Sequence, residues 1–294
     1  MKNISFSKKF VLILISIFIG ITFYLSAQKK DDTILEKVAV VKELEKYLHG
    51  ASEYSEKLRK KAFHFFCKEK VIIKTVVPNK YAKPISKRPR TPRVGDTTTI
   101  IKKYIFDYQL INNKGNVQEQ RKLISGNFNG KEKFNIKNFI TSFLSERAVF
   151  GPTTLVSKER FHLFDYQILQ YKKQKGHHSV ILKIIPKELK NVFFKSGEIW
   201  LDTDNFTVRK LQVVLKNTDK YKKLIQYAIG MNSKLHLICE VEYDQSYKGL
   251  YFPTKVSIKE KYIRSEHNEW ERSKTIFSYK DYKFFNVNTD VQYE

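Results

Sequence analysis

The hydrophobic period changes at Glu69 and stays short for most of the remaining chain. Before it, Ile34, Val38, Val41, Leu44 and Leu48 recur at helical spacing, and Tyr54, Leu58 and Ala62 recur every four residues. These patterns predict a helix over 33–48, capped by Asp32 or Thr33 and ended by Gly50, and a second over 52–62. From Glu69 onward Val71, Ile73, Thr75 and Val77 alternate with Lys70, Ile72, Lys74 and Val76, which is the period of a strand. Further strands are expected at 100–112, 117–128, 161–171, 179–185, 198–202, 206–216, 234–243, 250–263 and 274–284, about nine to eleven in all. Helix-like spacing interrupts the series at 138–147 and 219–231. A chain of this kind is mainly β with added helices, an antiparallel barrel or a deeply curved sheet.

Composition supports a folded core. With 41% hydrophobic and 14% aromatic residues, a disordered tail, a collagenous rod and a polytopic membrane protein are excluded. On several strands the apolar phase is bulky: Tyr104, Phe106 and Tyr108; Phe164 and Tyr166; Val180 and Leu182; Leu211 and Val213; Val256 and Ile258. These eleven are the candidates for an inward face. In 250–261 the alternation is clearest, with Leu250, Phe252, Val256 and Ile258 against Tyr251, Lys255, Ser257, Lys259 and Lys261.

The first 27 residues read as an export signal. Lys2, Lys8 and Lys9 precede an apolar run from Phe10 to Leu25, then Ser26 and Ala27 lead into a polar stretch. Cleavage after Ala27 is expected, leaving residues 28–294 as a single domain in the periplasm. An uncleaved anchor is the alternative. The chain is strongly basic, with a formal net charge of +25. In an exported protein this charge points away from nucleic acid and towards an anionic membrane surface or acidic glycan, or simply to a solvated exterior. Within 78–97 four prolines and a run of cations, among them Lys87, Arg88, Arg90 and Arg93, mark an exposed loop and a candidate anion-binding arm.

Chemistry-bearing motifs are few. No nucleophile elbow, zinc-protease helix, Walker loop or dinucleotide turn occurs, so no catalytic residue, metal site or cofactor is assigned and the chain is read as non-enzymatic. His177 and His178 are adjacent, so on a strand they face opposite ways and serve a metal badly. Asp202, Asp204 and Asn205 have the chemistry of a tight turn whose side chains bond the local backbone. Export permits a disulfide between Cys67 and Cys239, and two small buried hydrophobes is the equal alternative.

The segment from Gly197 through Trp200 and Asp202 to Arg209 and Lys210 resembles the strand–turn–strand signature of the lipoprotein-localisation carriers, the LolA/LolB-like fold superfamily, and of the sigma-factor regulators that share that fold. The order of elements and the step Phe252-Pro253-Thr254-Lys255-Val256 are similar as well. This resemblance implies an incomplete, strongly curved antiparallel barrel covered by helices, with an apolar hollow that accepts acyl chains. It implies a monomeric periplasmic carrier of lipid or lipoprotein, or an envelope sensor. The alternative is an interaction module with a filled core that binds anionic lipid or glycan through basic loops.

Overall fold

In the computed structural model the described residues are 40–61, 63–78, 97–113, 116–126, 149–151, 155–174, 176–190, 192–216 and 221–285. The expected export segment, the start of the helix expected at 33–48, the expected basic loop after Pro78 with Lys87, Arg88, Arg90 and Arg93, and the helix expected at 138–147 lie outside them. The chain divides into two units, Met1–Lys46 and Tyr47–Glu294. Only 40–46 of the first unit are described, and they are helical.

The second unit carries ten strands: β1 (Phe63–Pro78), β2 (Thr97–Asn113), β3 (Asn116–Gly126), β4 (Phe164–Gln174), β5 (His177–Pro186), β6 (Phe194–Asp202), β7 (Val208–Leu215), β8 (Lys234–Tyr247), β9 (Leu250–Ser265) and β10 (Asn268–Phe285). They form one sheet in the order β3-β2-β1-β10-β9-β8-β7-β6-β5-β4, and all of its ladders are antiparallel. Apart from the pairing of β1 with β10, every neighbour in the sheet is also a neighbour in sequence. The sheet ends on β3 and β4, so it is an incomplete barrel, as the strand series predicted.

Several boundaries differ from the sequence reading. β1 starts at Phe63 because Phe63, Phe65 and Cys67 already point to the buried side, at 2%, 0% and 4% exposure. Cys67 is therefore inside a strand, before the start at Glu69 that the period change marks. β4 starts at Phe164, since Lys158–Leu163 form a 3-10 turn where a strand was expected from 161. The helical residues continue through Gly50 to 60 as one helix, α1. Gly50 is a contact residue here, not a stop: a Cβ on it would lie 2.3 Å from the ring of Phe206. Asn112, fully buried on β2, closes the helix by donating its Nδ2 to the carbonyls of Arg59 and Lys61 at 3.3 and 3.1 Å. The other helix, α2, spans Lys222–Gly230 within the stretch expected at 219–231. The alternation along β9 is also imperfect. Pro253 and Ser257 are buried with Phe252 and Val256, beside a register shift in β8 at Tyr243–Gln245.

The stretch 47–60 of α1 buries Tyr47, Ala51, Tyr54 and Leu58, and the Tyr54 hydroxyl accepts the backbone N–H of Tyr251 at 2.9 Å. Below it Phe65 meets Tyr108, Phe252, Tyr282 and Phe284 with ring centroids 5.1 to 5.8 Å apart. Each such pair adds about 0.5–1.5 kcal/mol beyond its area.

Candidate functional site

Strand register, followed from ladder to ladder, decides which inward candidates belong together, because directly opposed residues share a face. Tyr104 opposes Val71, then Phe277, Val256, Val241, Leu211, Ile199 and Leu182 in turn, one row across the sheet from β2 to β5. Every member is buried, at 4% exposure or less. The next row along the same face runs Ile73, Thr275, Ile258, Cys239, Val213, Gly197, Ile184 and Tyr166, from β1 to β4. Its middle is small except at Ile258, which stands where the first row has Val256. Thr275, Cys239, Val213 and Gly197 stand where the first row has Phe277, Val241, Leu211 and Ile199. At Gly197 a Cβ would come within 3.0 Å of the Val213 side chain and 3.1 Å of the Gln212 carbonyl, so glycine is required there by close approach.

All eleven inward candidates lie among the described residues. Tyr104, Phe106, Tyr108, Phe164, Val180, Leu182, Leu211, Val213 and Val256 are buried. Tyr166 and Ile258 are half-buried, and both sit in the second row. The Tyr166 hydroxyl donates to the Leu155 carbonyl at 2.7 Å.

Polar groups border this face, and the periodicity alone did not mark them. Glu69, at zero exposure, lies opposite Phe106, and its carboxylate takes Arg121 Nε at 2.7 Å and Nη2 at 3.2 Å. Arg121 also pairs with Glu119 at 2.5 Å and stacks 4.3 Å over the Tyr108 ring. Burial works against the Arg121 cation, but Glu69 outweighs it and holds the guanidinium protonated more firmly than usual. A second group lies one step beyond the small row: Glu260 Oε1 accepts from the Tyr262 hydroxyl and from Arg272 Nη1 at 2.9 Å, and Arg272 lies over Tyr227 of α2. A signal for Glu69 existed in the sequence, as a charge in the apolar phase between Cys67 and Val71.

The family-motif residues divide by role. Gly197 belongs to the small row, whereas Trp200 faces the other way, with Lys210 Nζ 4.8 Å from its ring. Asp202 builds the β6–β7 turn: its Oδ1 accepts the N–H groups of Asp204 and Asn205 at 3.1 and 3.4 Å, and Asn205 Oδ1 accepts the backbone N–H and the hydroxyl of Thr207. β6 and β7 are hydrogen-bonded neighbours, as the turn chemistry predicted. Asp202 Oδ2 also lies 3.3 Å from His177 Nδ1.

Cys67 and Cys239 are both buried free thiols, the second of the two alternatives open from the sequence. They lie on β1 and β8, three strand spacings or roughly 14 Å apart along the sheet, twice the reach of a bridge. Burial pushes the Cys239 thiol up to about 12. Among the described residues no three metal-ligating side chains gather.

No protein-family model and no curated protein sequence matches this chain. Among solved structures it is similar to a LolA superfamily protein of Nitrosomonas europaea, at 11% identity and a TM-score of 0.32, over 84% of this chain and 97% of that one. It is similar to a domain named for outer membrane lipoprotein sorting from Vibrio parahaemolyticus, at 14% identity and a TM-score of 0.35, over 84% and 94%. A DUF1329 family protein of Desulfovibrio piger matches at 11% identity and a TM-score of 0.35, over 83% and 95%. At TM-scores this low no site residue is carried across from them.

Proposed function

We propose that this chain is an exported, non-enzymatic carrier or sensor of the cell envelope that holds a lipid or lipoprotein acyl chain against the covered face of its sheet. The observation that carries this reading is the row of small residues Thr275, Cys239, Val213 and Gly197 beside a row of bulky ones. An apolar row that thins at Thr275, Cys239, Val213 and Gly197, with half-buried Ile258 among them and half-buried Tyr166 at its end, has the chemistry of an alkyl-chain site. The basic, apolar and small-residue segment ending at Ala27 supports the periplasmic address.

The test is uptake of a fluorescent fatty acid. Ile258→Glu places a charge at a half-buried position of the track, and Thr275→Leu fills it. Both variants are expected to lose at least about tenfold in probe affinity while keeping the strand signal in circular dichroism. Folded variants with unchanged uptake would refute the reading.

A second reading is favoured by one observation, the full burial of nine of the eleven inward candidates. In that case the face is a filled core and the chain is an interaction module whose loop bearing Lys87, Arg88, Arg90 and Arg93 meets an anionic surface. Charge neutralisation of that loop would then abolish binding to anionic vesicles, with no fatty-acid uptake to begin with.

A further inference from the structure

The opposite face of the sheet carries an open cavity of about 640 Å³ across β10, β1, β2 and β3. That volume falls in the range of small-ligand sites, roughly 300–1,000 Å³. Register explains how it is furnished. Gln120, Gln109, Phe66 and Lys283 oppose one another in a single row, so two amides, one ring and one ammonium group stand side by side. Lys122, Asp107 and Lys68 form the next row.

The ring is part of an exposed aromatic cluster. Phe66 is 36% and Phe285 46% exposed, with ring centroids 5.4 Å apart, and His64 lies 4.8 Å from Phe66. Gln109 is held in place by donating its Nε2 to His64 Nε2 at 2.8 Å. Lys122 and Lys283 have no carboxylate partner among the described residues, and Lys68 has only a loose one, Asp281 at 3.8 Å. Asp281 itself adopts φ 56° where β10 carries an extra residue opposite Cys67. That left-handed position in a bulge usually takes glycine, and here it aims a carboxylate at the cavity edge.

We infer that this cavity binds an acidic saccharide, a short glycan carrying carboxylate or phosphate. An exposed flat ring stacks on the C–H face of a sugar. The amides of Gln109 and Gln120 and the carboxylates of Asp107 and Asp281 exchange hydrogen bonds with hydroxyls, and the free ammonium groups of Lys122 and Lys283 meet the anion. A site for bare anions would have no use for the two carboxylates. The cavity is furnished mainly from the face away from the acyl track, with Cys67 and Arg121 also on its lining, and separate probes keep its ligand and the carrier reading distinguishable.

The probes are trigalacturonate, the neutral trisaccharide maltotriose, and phosphatidylcholine vesicles with and without phosphatidylglycerol. Calorimetry on the purified full chain should show trigalacturonate binding at least about tenfold tighter than maltotriose. Lys122→Glu with Lys283→Glu, and separately Phe66→Ala, should each weaken it by about tenfold, while Lys234→Glu on a distant strand end leaves it unchanged. All four positions are at the surface, so circular dichroism should not change. Absence of trigalacturonate binding overturns the inference. So does binding that is insensitive to Phe66→Ala and matched by the phosphatidylglycerol vesicles, which would make the cavity a patch of general anion attraction.

Discussion

Glu69 is a carboxylate at zero exposure, and its two oxygens are answered by one guanidinium. Such a pair adds little net stability, but removing one partner leaves a buried uncompensated charge. Arg121→Met is therefore expected to destabilise the fold by about 3–5 kcal/mol in urea denaturation, and Glu69→Gln on top of it should recover more than half of that loss. Independent, additive losses would show that the two groups are not coupled. Other side chains set the response to acid. Burial lowers the proton affinity of His64 and of His236 below the ordinary 6.5. Glu240 is also lowered, from 4.5, because its bond and ion pair with Lys210 outweigh the opposing effect of burial. A group whose affinity for protons is depressed by folding stabilises above its unfolded pKa and loses that contribution as pH falls. The melting temperature should thus be level from about pH 7 to 8, decline below about 6.5 and decline further below about 4.5, while the raised Cys239 thiol makes it fall again above about 9; a rise on acidification from pH 7 would contradict these assignments. At this scale the sequence was readable only in part. Glu69 announced the start of the clear alternation, but its partner Arg121 lies on a strand two places away, and one residue's phase does not reveal what neutralises it.

Elements are fixed by contacts that local pattern does not encode. Gly50 reads as a helix stop, yet it lies within α1, because the ring of Phe206 occupies the space a side chain would need. Helix propensity alone favours Gly50→Ala by about 1 kcal/mol, while overpacking against a ring costs about 1–3 kcal/mol. Gly50→Ala should therefore destabilise the native protein, and the same change made in a Phe206→Ala background should become neutral or stabilising. Thermal melts of the four proteins decide the matter, and a stabilising Gly50→Ala in the native background would contradict the contact. The Asp202–Asn205 turn was legible for the opposite reason, since its hydrogen bonds reach only two or three residues along the chain. Strand starts at Phe63 and Phe164 were missed where aromatic residues close to a helix or turn fit either period.

For the molecule as a whole, the period of two foretold the antiparallel strands and the eleven inward candidates, all of which fall on β2, β4, β5, β7 and β9. It did not foretell the rows. Register depends on bulges such as those at Glu271/Ser273 in the β9–β10 ladder and Tyr243/Gln245 in the β8–β9 ladder, and these decide that Ile258 opposes Thr275 and Cys239. The row of Thr275, Ile258, Cys239, Val213 and Gly197 is a property of that register, and so is the row of Gln120, Gln109, Phe66 and Lys283 on the opposite face. The most direct measurement of the central claim is native mass spectrometry of the chain purified from cells that make it. The expected result is a species heavier than the polypeptide by the mass of an acyl lipid, displaced by added fatty acid and missing from Ile258→Glu. A bare polypeptide mass alone, from a protein that also takes up no fatty acid, would contradict the carrier reading.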